Sequence, residues 1–352
     1  MGIAETLDWS VALLPVMLMV VLFAWLDVFK VMSPREMIAP LIMGGFMALV
    51  AWPISGQMLD NLPMGYSFYS RIVAPWIEEA LKTVPIILLI MANRIGYKTD
   101  AIIFGFAIGA GFSVVENIFY LVRYPELSTP VWLVRGLGTA VMHGATTAIL
   151  AAVVHELGER GLRRTGTEHM FNLLWFLPGY VAATLIHLVF NQFPDRPGLV
   201  MLSTLIVAPV ILLGLLRFGE SETQKWLVEE SEGHRRWLEE WRGGAFPADA
   251  SGQRIAALAA RSSKTEAERI REYCMLKTEL VLKAEEELLD RDRAVDDDER
   301  KRLHEGFDRL ARLQREIGRT GFAALRPLLP FSKNDEWELA ELQELIGQSP
   351  GN

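Results

Sequence analysis

Two adjacent glutamates, Glu78 and Glu79, are followed one helical turn later by Lys82 inside an otherwise apolar stretch. Ionisable side chains are costly in hydrocarbon, and those that persist there usually line a cavity, move charge or take part in a reaction. Because two neighbouring carboxylates cannot both ionise cheaply in a low dielectric, one is expected to hold a proton while Lys82 or a histidine balances the other. When it is ionised, a carboxylate of such a pair can take a proton from water and return it to a leaving amine.

The next three apolar segments carry further polar residues: Glu116 with Asn117, then His143, then His187 with Asn191. His187 and Asn191 are four residues apart, so they occupy one face of a helix. Imidazole and carboxamide groups can donate hydrogen bonds to the oxyanion of a tetrahedral intermediate. Together with a carboxylate base, these groups predict hydrolysis of an acyl bond, with a peptide as the favoured substrate.

The elements that must position these residues are membrane-spanning helices. The chain has 352 residues, 51% of them hydrophobic, and most of its net charge of -8 belongs to the part after residue 219. Seven apolar runs approach the roughly 20 residues that cross a bilayer: residues 9–29, 37–54, 74–92, 101–122, 131–154, 171–193 and 199–216. The fold class predicted is an all-α, polytopic membrane helix bundle followed by a soluble helical region.

Basic residues in the connections set the predicted topology, because cytoplasmic loops are enriched in lysine and arginine. One side has Lys30, Arg35, Arg94, Lys98, Arg160, Arg163, Arg164 and Arg217, and the other has Arg71, Arg123, Arg135 and Arg196. This predicts a multi-pass protein of the cell membrane, specifically the bacterial inner membrane, with the N-terminus outside and the C-terminal tail cytoplasmic. If the four outer arginines mark the interface, the polar residues lie roughly 10 to 14 Å below it at about 1.5 Å per residue. One shared cavity opening to the outer side is therefore expected.

The same residues carry a family resemblance. The runs EEALK at 78–82, FGFAIGAGFSVVEN at 104–117 and HLVFN at 187–191, together with His143, resemble the motifs of the PrsW family of intramembrane proteases, which is related to the CAAX-type prenyl endopeptidases. The resemblance implies a membrane-embedded peptidase that cleaves membrane-anchored protein substrates, anti-sigma factors being the known type.

The resemblance also implies roles for individual residues. Glu78 would activate water with help from Glu116, Glu79 would be paired with Lys82, and the scissile carbonyl or its oxyanion would be bound by His143, His187 and Asn191. Phe112 and Asn117 of the second motif would support them. The spacing leaves open whether Glu78 or Glu79 is the base.

Two alternatives remain beside a glutamate-dependent peptidase without a cofactor. A proton- or cation-coupled transporter also uses carboxylate and histidine relays within its spans, although its internal repeats are not seen here. A metallopeptidase could hold zinc through Glu78, Glu116, His143 and His187, which are suitable ligand types. The chain has no H-E-x-x-H pattern, so the metal-free mechanism ranks first.

The sequence predicts three domains: a membrane-embedded protease domain at 1–219, an interfacial helix with a linker at 220–252, and a cytoplasmic helical hairpin domain at 253–352. Trp226, Trp237 and Trp241 are interleaved with charges, as in a helix at a membrane surface. Helices are expected at 264–289, 296–317 and 335–346. The acidic balance argues against a nucleic-acid partner, and the last domain is either a solvated structural unit or a docking site for a regulatory partner.

Overall fold

The computed structural model describes residues 3–25, 37–92, 94–165, 172–289 and 296–347. The described residues form helices and turns with no strand, which confirms the all-α prediction. The chain divides into two compact units, Met1–Ser221 and Glu222–Asn352. Lys30 and Arg35, which entered the topology prediction, lie outside the described residues.

Within the residues that the structure describes, the first unit contains nine α-helices or parts of α-helices. They are α1 (Ile3–Trp25), α2 (Ile38–Asn61), α3 (Tyr66–Phe68), α4 (Ala74–Met91), α5 (Lys98–Arg123), α6 (Thr129–Leu133), α7 (Ala140–Thr165), α8 (Phe176–Asn191) and the first part of α9 (Pro197–Arg242). Two π-helical segments, Tyr69–Val73 and Val134–Thr139, lead directly into α4 and α7. Such wide turns are rare and are often found at functional sites.

Six of the described helical stretches are long and apolar enough to cross a membrane: Glu5–Leu22, Ile38–Asn61, Lys98–Arg123, Thr129–Gly158, Leu173–Asn191 and Pro197–Arg217. Helix α4 corresponds to the remaining predicted span. Its three charged residues, Glu78, Glu79 and Lys82, make its composition too polar for it to count among these six apolar helices. Large apolar side chains such as Leu18, Ile42 and Val210 point outward from the bundle, as expected for surfaces in contact with lipid.

Helices α5 and α7 form the centre of this unit and cross closely because glycines remove side chains from the contact. A Cβ at Gly109 would lie 2.1 Å from the carbonyl oxygen of His143, and one at Gly111 would lie 1.9 Å from that of Leu41 in α2. Small residues permit such close approach in membrane bundles. The position of His143 therefore depends on Gly109.

The start of α4 is held to the end of α8 by side-chain hydrogen bonds. Pro75 has no N–H, so it cannot donate a helical hydrogen bond to the carbonyl of Ser70 or of Arg71, five and four residues earlier. The amide of Asn191 donates to Ser70 O (2.9 Å), and the amide of Gln192 donates to Arg71 O (3.3 Å). These bonds fix α8 beside the residues that precede Glu78.

The second unit contains the end of α9 and the helices α10 (Ala250–Ala259), α11 (Lys264–Leu289), α12 (Asp297–Leu325) and α13 (Lys333–Gly347). The predicted helices at 264–289, 296–317 and 335–346 correspond to α11, α12 and α13. Gly318 interrupts α12 with a positive φ of 79°.

The second unit differs from the prediction at its tryptophans. Trp237 and Trp241, expected at a membrane surface, are buried in the apolar core of this unit, with ring centroids 5.9 Å apart. They lie four residues apart on one helix face, which packs against protein. The side chain of Trp226 lies outside the described residues.

Candidate functional site

The centre of the site is a buried ion pair between Glu79 and Lys82 of α4. Both side chains are 0% exposed, and Lys82 Nζ lies 2.6 Å from Glu79 Oε1. The same carboxylate oxygen accepts hydrogen bonds from Thr146 Oγ1 (3.2 Å) and is 2.9 Å from His187 Nδ1. Three donors converge on one oxygen, so Glu79 is engaged in holding α4, α7 and α8 together.

His143 links this pair to Glu116. Its Nδ1 lies 2.8 Å from Lys82 Nζ, and its Nε2 lies 3.1 Å from Glu116 Oε2. An ammonium group can only donate, so Nδ1 of His143 accepts and its proton lies on Nε2, directed at Glu116. Phe112 packs beside this arrangement, with its ring centroid 5.0 Å from Lys82 Nζ and 5.2 Å from the His143 ring.

Glu78 faces a cavity, in contrast to its neighbour. Its side chain is 15% exposed, and its Oε2 lies 3.8 Å from His187 Nε2. Because Nδ1 of His187 is directed at the Glu79 carboxylate, that nitrogen carries the proton and Nε2 presents a lone pair towards Glu78. Glu78 and His187 thus offer two acceptors across a gap that one water molecule can bridge.

The cavity has a volume of about 1150 Å³. The predicted site residues Glu78, Phe112, Glu116, His143, His187 and Asn191 line it, whereas Glu79, Lys82 and Asn117 do not. Asn191 uses one amide hydrogen on Ser70 O and keeps the second. All four polar segments predicted from the sequence therefore meet at one cavity.

Arg135 is a site residue that the sequence analysis missed, because it was taken as a marker of the outer interface. Its guanidinium lies 3.2 Å from Glu116 Oε2, and its Nε donates to Asn117 Oδ1 at 3.1 Å. The guanidinium also stacks 3.7 Å from the centroid of Tyr120. Arg135 therefore belongs to the polar cluster, and the predicted depth of His143, which used Arg135 as an interface marker, stays a prediction.

Asn117 positions Arg135 and the middle of α1. Besides accepting from Arg135 Nε, it donates to the carbonyls of Ala12 (3.0 Å) and Arg135 (3.4 Å). The pattern FSVVEN contained the signal for this role, because an asparagine buried within a membrane helix must find hydrogen-bond partners for its side chain. Its partners come from other helices and could not be read from spacing.

Some of the side chains that line the cavity are suitable ligands for a metal ion, and others are not. Ligand atoms of Glu78, His143 and His187 lie within 4.8 Å of one another, and zinc accepts both imidazole and carboxylate ligands. His187 is arranged as metal-binding histidines often are, with its other nitrogen on a carboxylate. His143 is not, because Lys82 and Glu116 occupy both of its nitrogens.

Comparison with known protein families gives one match. Residues 33–215, just over half of the chain, match the family described as PrsW family intramembrane metalloprotease. The match covers every predicted site residue. Comparisons with curated proteins and with solved structures found no match.

Proposed function

The chain belongs to the PrsW family of intramembrane proteases, and on that premise we propose that it hydrolyses a peptide bond of a membrane-anchored protein, such as an anti-sigma factor, with water activated by Glu78. The observation that carries this proposal is the position of Glu78 Oε2 in the cavity, 3.8 Å from His187 Nε2. Glu79 is assigned a supporting role because its side chain is fully buried and does not reach the cavity.

Water activation uses the two acceptors together. A water molecule between Glu78 Oε2 and His187 Nε2 donates one hydrogen to each, so its lone pair is free to attack a carbonyl carbon. Attack forms the carbon–oxygen bond and transfers the water proton to Glu78. Glu78 then returns that proton to the amide nitrogen as the carbon–nitrogen bond breaks, which leaves an acid and an amine.

The oxyanion of the tetrahedral intermediate needs donors on the opposite side of the carbonyl carbon. His143 Nε2–H and the second amide hydrogen of Asn191 are the donors we assign to it. Glu116 holds His143 in the resting state through the 3.1 Å hydrogen bond, and Arg135 fixes Glu116 in turn. Donors held close to the reacting carbonyl stabilise the negative charge that develops on its oxygen.

A metal-dependent form of the same reaction is the second candidate, and the grouping of Glu78, His143 and His187 within 4.8 Å favours it. When bound there, zinc would supply Lewis acidity towards a carbonyl and a bound water. Binding through His143 would require a ring lone pair, and the lone pair of its Nδ1 already accepts a hydrogen bond from Lys82 at 2.8 Å. We rank the glutamate-dependent form first for that reason.

The test is proteolysis by the purified full-length protein in detergent, with tagged single-span proteins as substrates. We expect cleavage by the wild type and a loss of about 10²–10⁴-fold in Glu78→Gln, the usual contribution of a general base. Glu126→Gln, in an exposed loop, is the matched control and should cleave normally. Undiminished cleavage by Glu78→Gln would refute the proposal, as would Glu78-dependent ion flux in liposomes without any cleavage.

Treatment with a chelator distinguishes the glutamate-dependent mechanism from the metal-dependent one. Incubation with 1,10-phenanthroline followed by its removal leaves a glutamate-dependent peptidase active. Loss of cleavage that Zn²⁺ restores would establish the metal-dependent form.

We further propose the bacterial inner membrane as the location, with the N-terminus outside and residues 220–352 in the cytoplasm, where they would offer a docking site to a regulatory partner. The lysine and arginine distribution supports this orientation. Alkaline phosphatase fused after residue 352 should be inactive and a fluorescent protein fused there should be bright. An active alkaline phosphatase and a dark fluorescent protein would show that the C-terminus lies outside, opposite to the proposed topology.

A further inference from the structure

A second cluster of metal-ligating side chains lies in the unit Glu222–Asn352, apart from the proposed peptidase site. It consists of His234 of α9, Glu285 of α11 and Asp335 of α13, whose ligand atoms lie within 4.8 Å of one another. All three side chains are buried. The residues are 50 or more positions apart in sequence, so the cluster exists only because three helices pack together.

The hydrogen bonds within the cluster leave polar atoms without partners. Glu285 Oε1 lies 2.7 Å from His234 Nδ1, and Asp335 Oδ2 accepts from the backbone N–H of Ser332 at 2.5 Å. Glu285 Oε2 and Asp335 Oδ1 are buried and have no hydrogen-bond partner among the described residues. A buried carboxylate that is only partly satisfied costs free energy, and a bound cation is one of the few groups that can satisfy it.

The charges lead to the same conclusion. Two ionised carboxylates bring two negative charges, whereas His234 supplies at most one positive charge. A divalent cation bound to neutral His234 and the two carboxylates would balance the site. Buried charges in proteins are usually paired or bound to metal in this way.

We propose that His234, Glu285 and Asp335 bind a divalent first-row transition ion, with Zn²⁺ as the favoured ion. An imidazole nitrogen in the ligand set favours zinc and its neighbours over Mg²⁺ and Ca²⁺, which take oxygen ligands. His234 Nε2 and Asp335 Oδ2 are 3.8 Å apart, close to the roughly 3.3 Å between two zinc ligands at about 2.0–2.1 Å in tetrahedral geometry.

The surroundings suit a structural site. Ser332 and Asp335 cap α13 reciprocally, since Asp335 N also donates to Ser332 Oγ at 3.1 Å. This capping box fixes the Asp335 side chain before any ion binds. The ring of Phe331 lies 5.7 Å from that of His234, and both side chains are buried. The bound ion would pin α13 to α9 and α11.

The test is Co²⁺ and Zn²⁺ binding to the full-length, metal-stripped protein in detergent. His187→Ala serves as the background, because it removes a donor from the cavity in the membrane unit. We expect one equivalent of Co²⁺, visible by its d–d absorption and displaced by Zn²⁺, and a rise in the melting temperature with Zn²⁺. Asp335→Asn and His234→Gln should each weaken Co²⁺ binding at least about tenfold.

Matched controls are Glu286→Gln on α11 and Asp297→Asn at the start of α12, both exposed, and both should bind Co²⁺ as the background protein does. Asp335→Asn keeps the size and shape of the side chain and removes a buried charge, so the variant should fold. The test of folding is the buried thiol of Cys274 in the same unit, which should stay unreactive towards thiol reagents in the folded variant. Absence of Co²⁺ and Zn²⁺ binding, binding of Ca²⁺ or Mg²⁺ alone, or undiminished binding by folded Asp335→Asn would overturn the proposal. Each of these results leaves the peptidase proposal untouched.

Discussion

At the residue scale, Glu78 and Glu79 are chain neighbours with different surroundings. Adjacent residues of a helix point in different directions, so Glu79 is directed at Lys82, Thr146 and His187 while Glu78 reaches the cavity. One glutamate therefore holds neighbouring helices together, and the other is the one that we propose to activate water. The spacing alone could not distinguish them, because the rotation of α4 within the bundle decides which residue faces water.

Removing Lys82 tests the organising role of the buried pair. Lys82→Met should lower the free energy of unfolding by about 3 to 5 kcal/mol, because Glu79 would be left buried without its cation. The double variant with Glu79→Gln should recover most of that loss, since neither charge remains. Denaturant titration in micelles measures both. Equal destabilisation by the single and double variants would contradict the pairing.

Arg135 is expected to act through Glu116 and not on the substrate. Arg135→Gln should lower kcat up to about 100-fold, the cost of a small misplacement of reacting groups, with little change in KM. Arg135→Lys should recover only part of the lost kcat, because one ammonium group cannot bond to both Glu116 and Asn117 as the guanidinium does. Arg196→Gln in an exposed loop is the control. A change confined to KM would instead place Arg135 in substrate binding.

At the element scale, the site depends on how closely α5 approaches α7. Gly105 and Gly109 of α5 lie against the backbone of α7, where a Cβ would come within 2.7 Å of Thr147 O and 2.1 Å of His143 O. The absence of side chains at these two glycines lets the two helix backbones approach so closely. The π-helical segments before α4 and α7 were not predicted, because their wide turns carry no periodic sequence signal.

Substituting Gly109 tests this dependence. Gly109→Ala must push α5 away from His143 O, so we expect both a loss of cleavage and a destabilisation of about 1–3 kcal/mol from overpacking. Gly214→Ala in α9, where nothing lies within 4 Å of the added carbon, should leave cleavage and stability unchanged or improve stability slightly. Normal cleavage by Gly109→Ala would show that the crossing is not needed for the site.

At the scale of the whole molecule, the chain combines a membrane unit that contains the site with a second unit that has its own apolar core. Cys274, the one cysteine of the chain, lies in that second core and is buried. Burial raises the pKa of the Cys274 thiol to about 12. The reactive thiolate is therefore almost absent at neutral pH.

The thiol provides a measure of folding in the second unit. We expect no reaction of Cys274 with Ellman's reagent in the native protein at pH 8, and one equivalent of reaction after denaturation. Cys274→Ser gives the zero for the assay. Rapid labelling of the native protein would show that this core opens readily.

The amino-acid sequence by itself determined the helices, the spans and the identity of the polar residues that had to meet. Apolar length and periodicity fix membrane helices locally, and the cost of ionisable groups in lipid forces Glu78, Glu116, His143 and His187 towards one polar cavity. The tertiary structure alone decided the rest. It separated Glu78 from Glu79, brought Arg135 to Glu116, buried Trp237 and Trp241, and gathered His234, Glu285 and Asp335, because helix rotation and long-range packing are not encoded in local spacing.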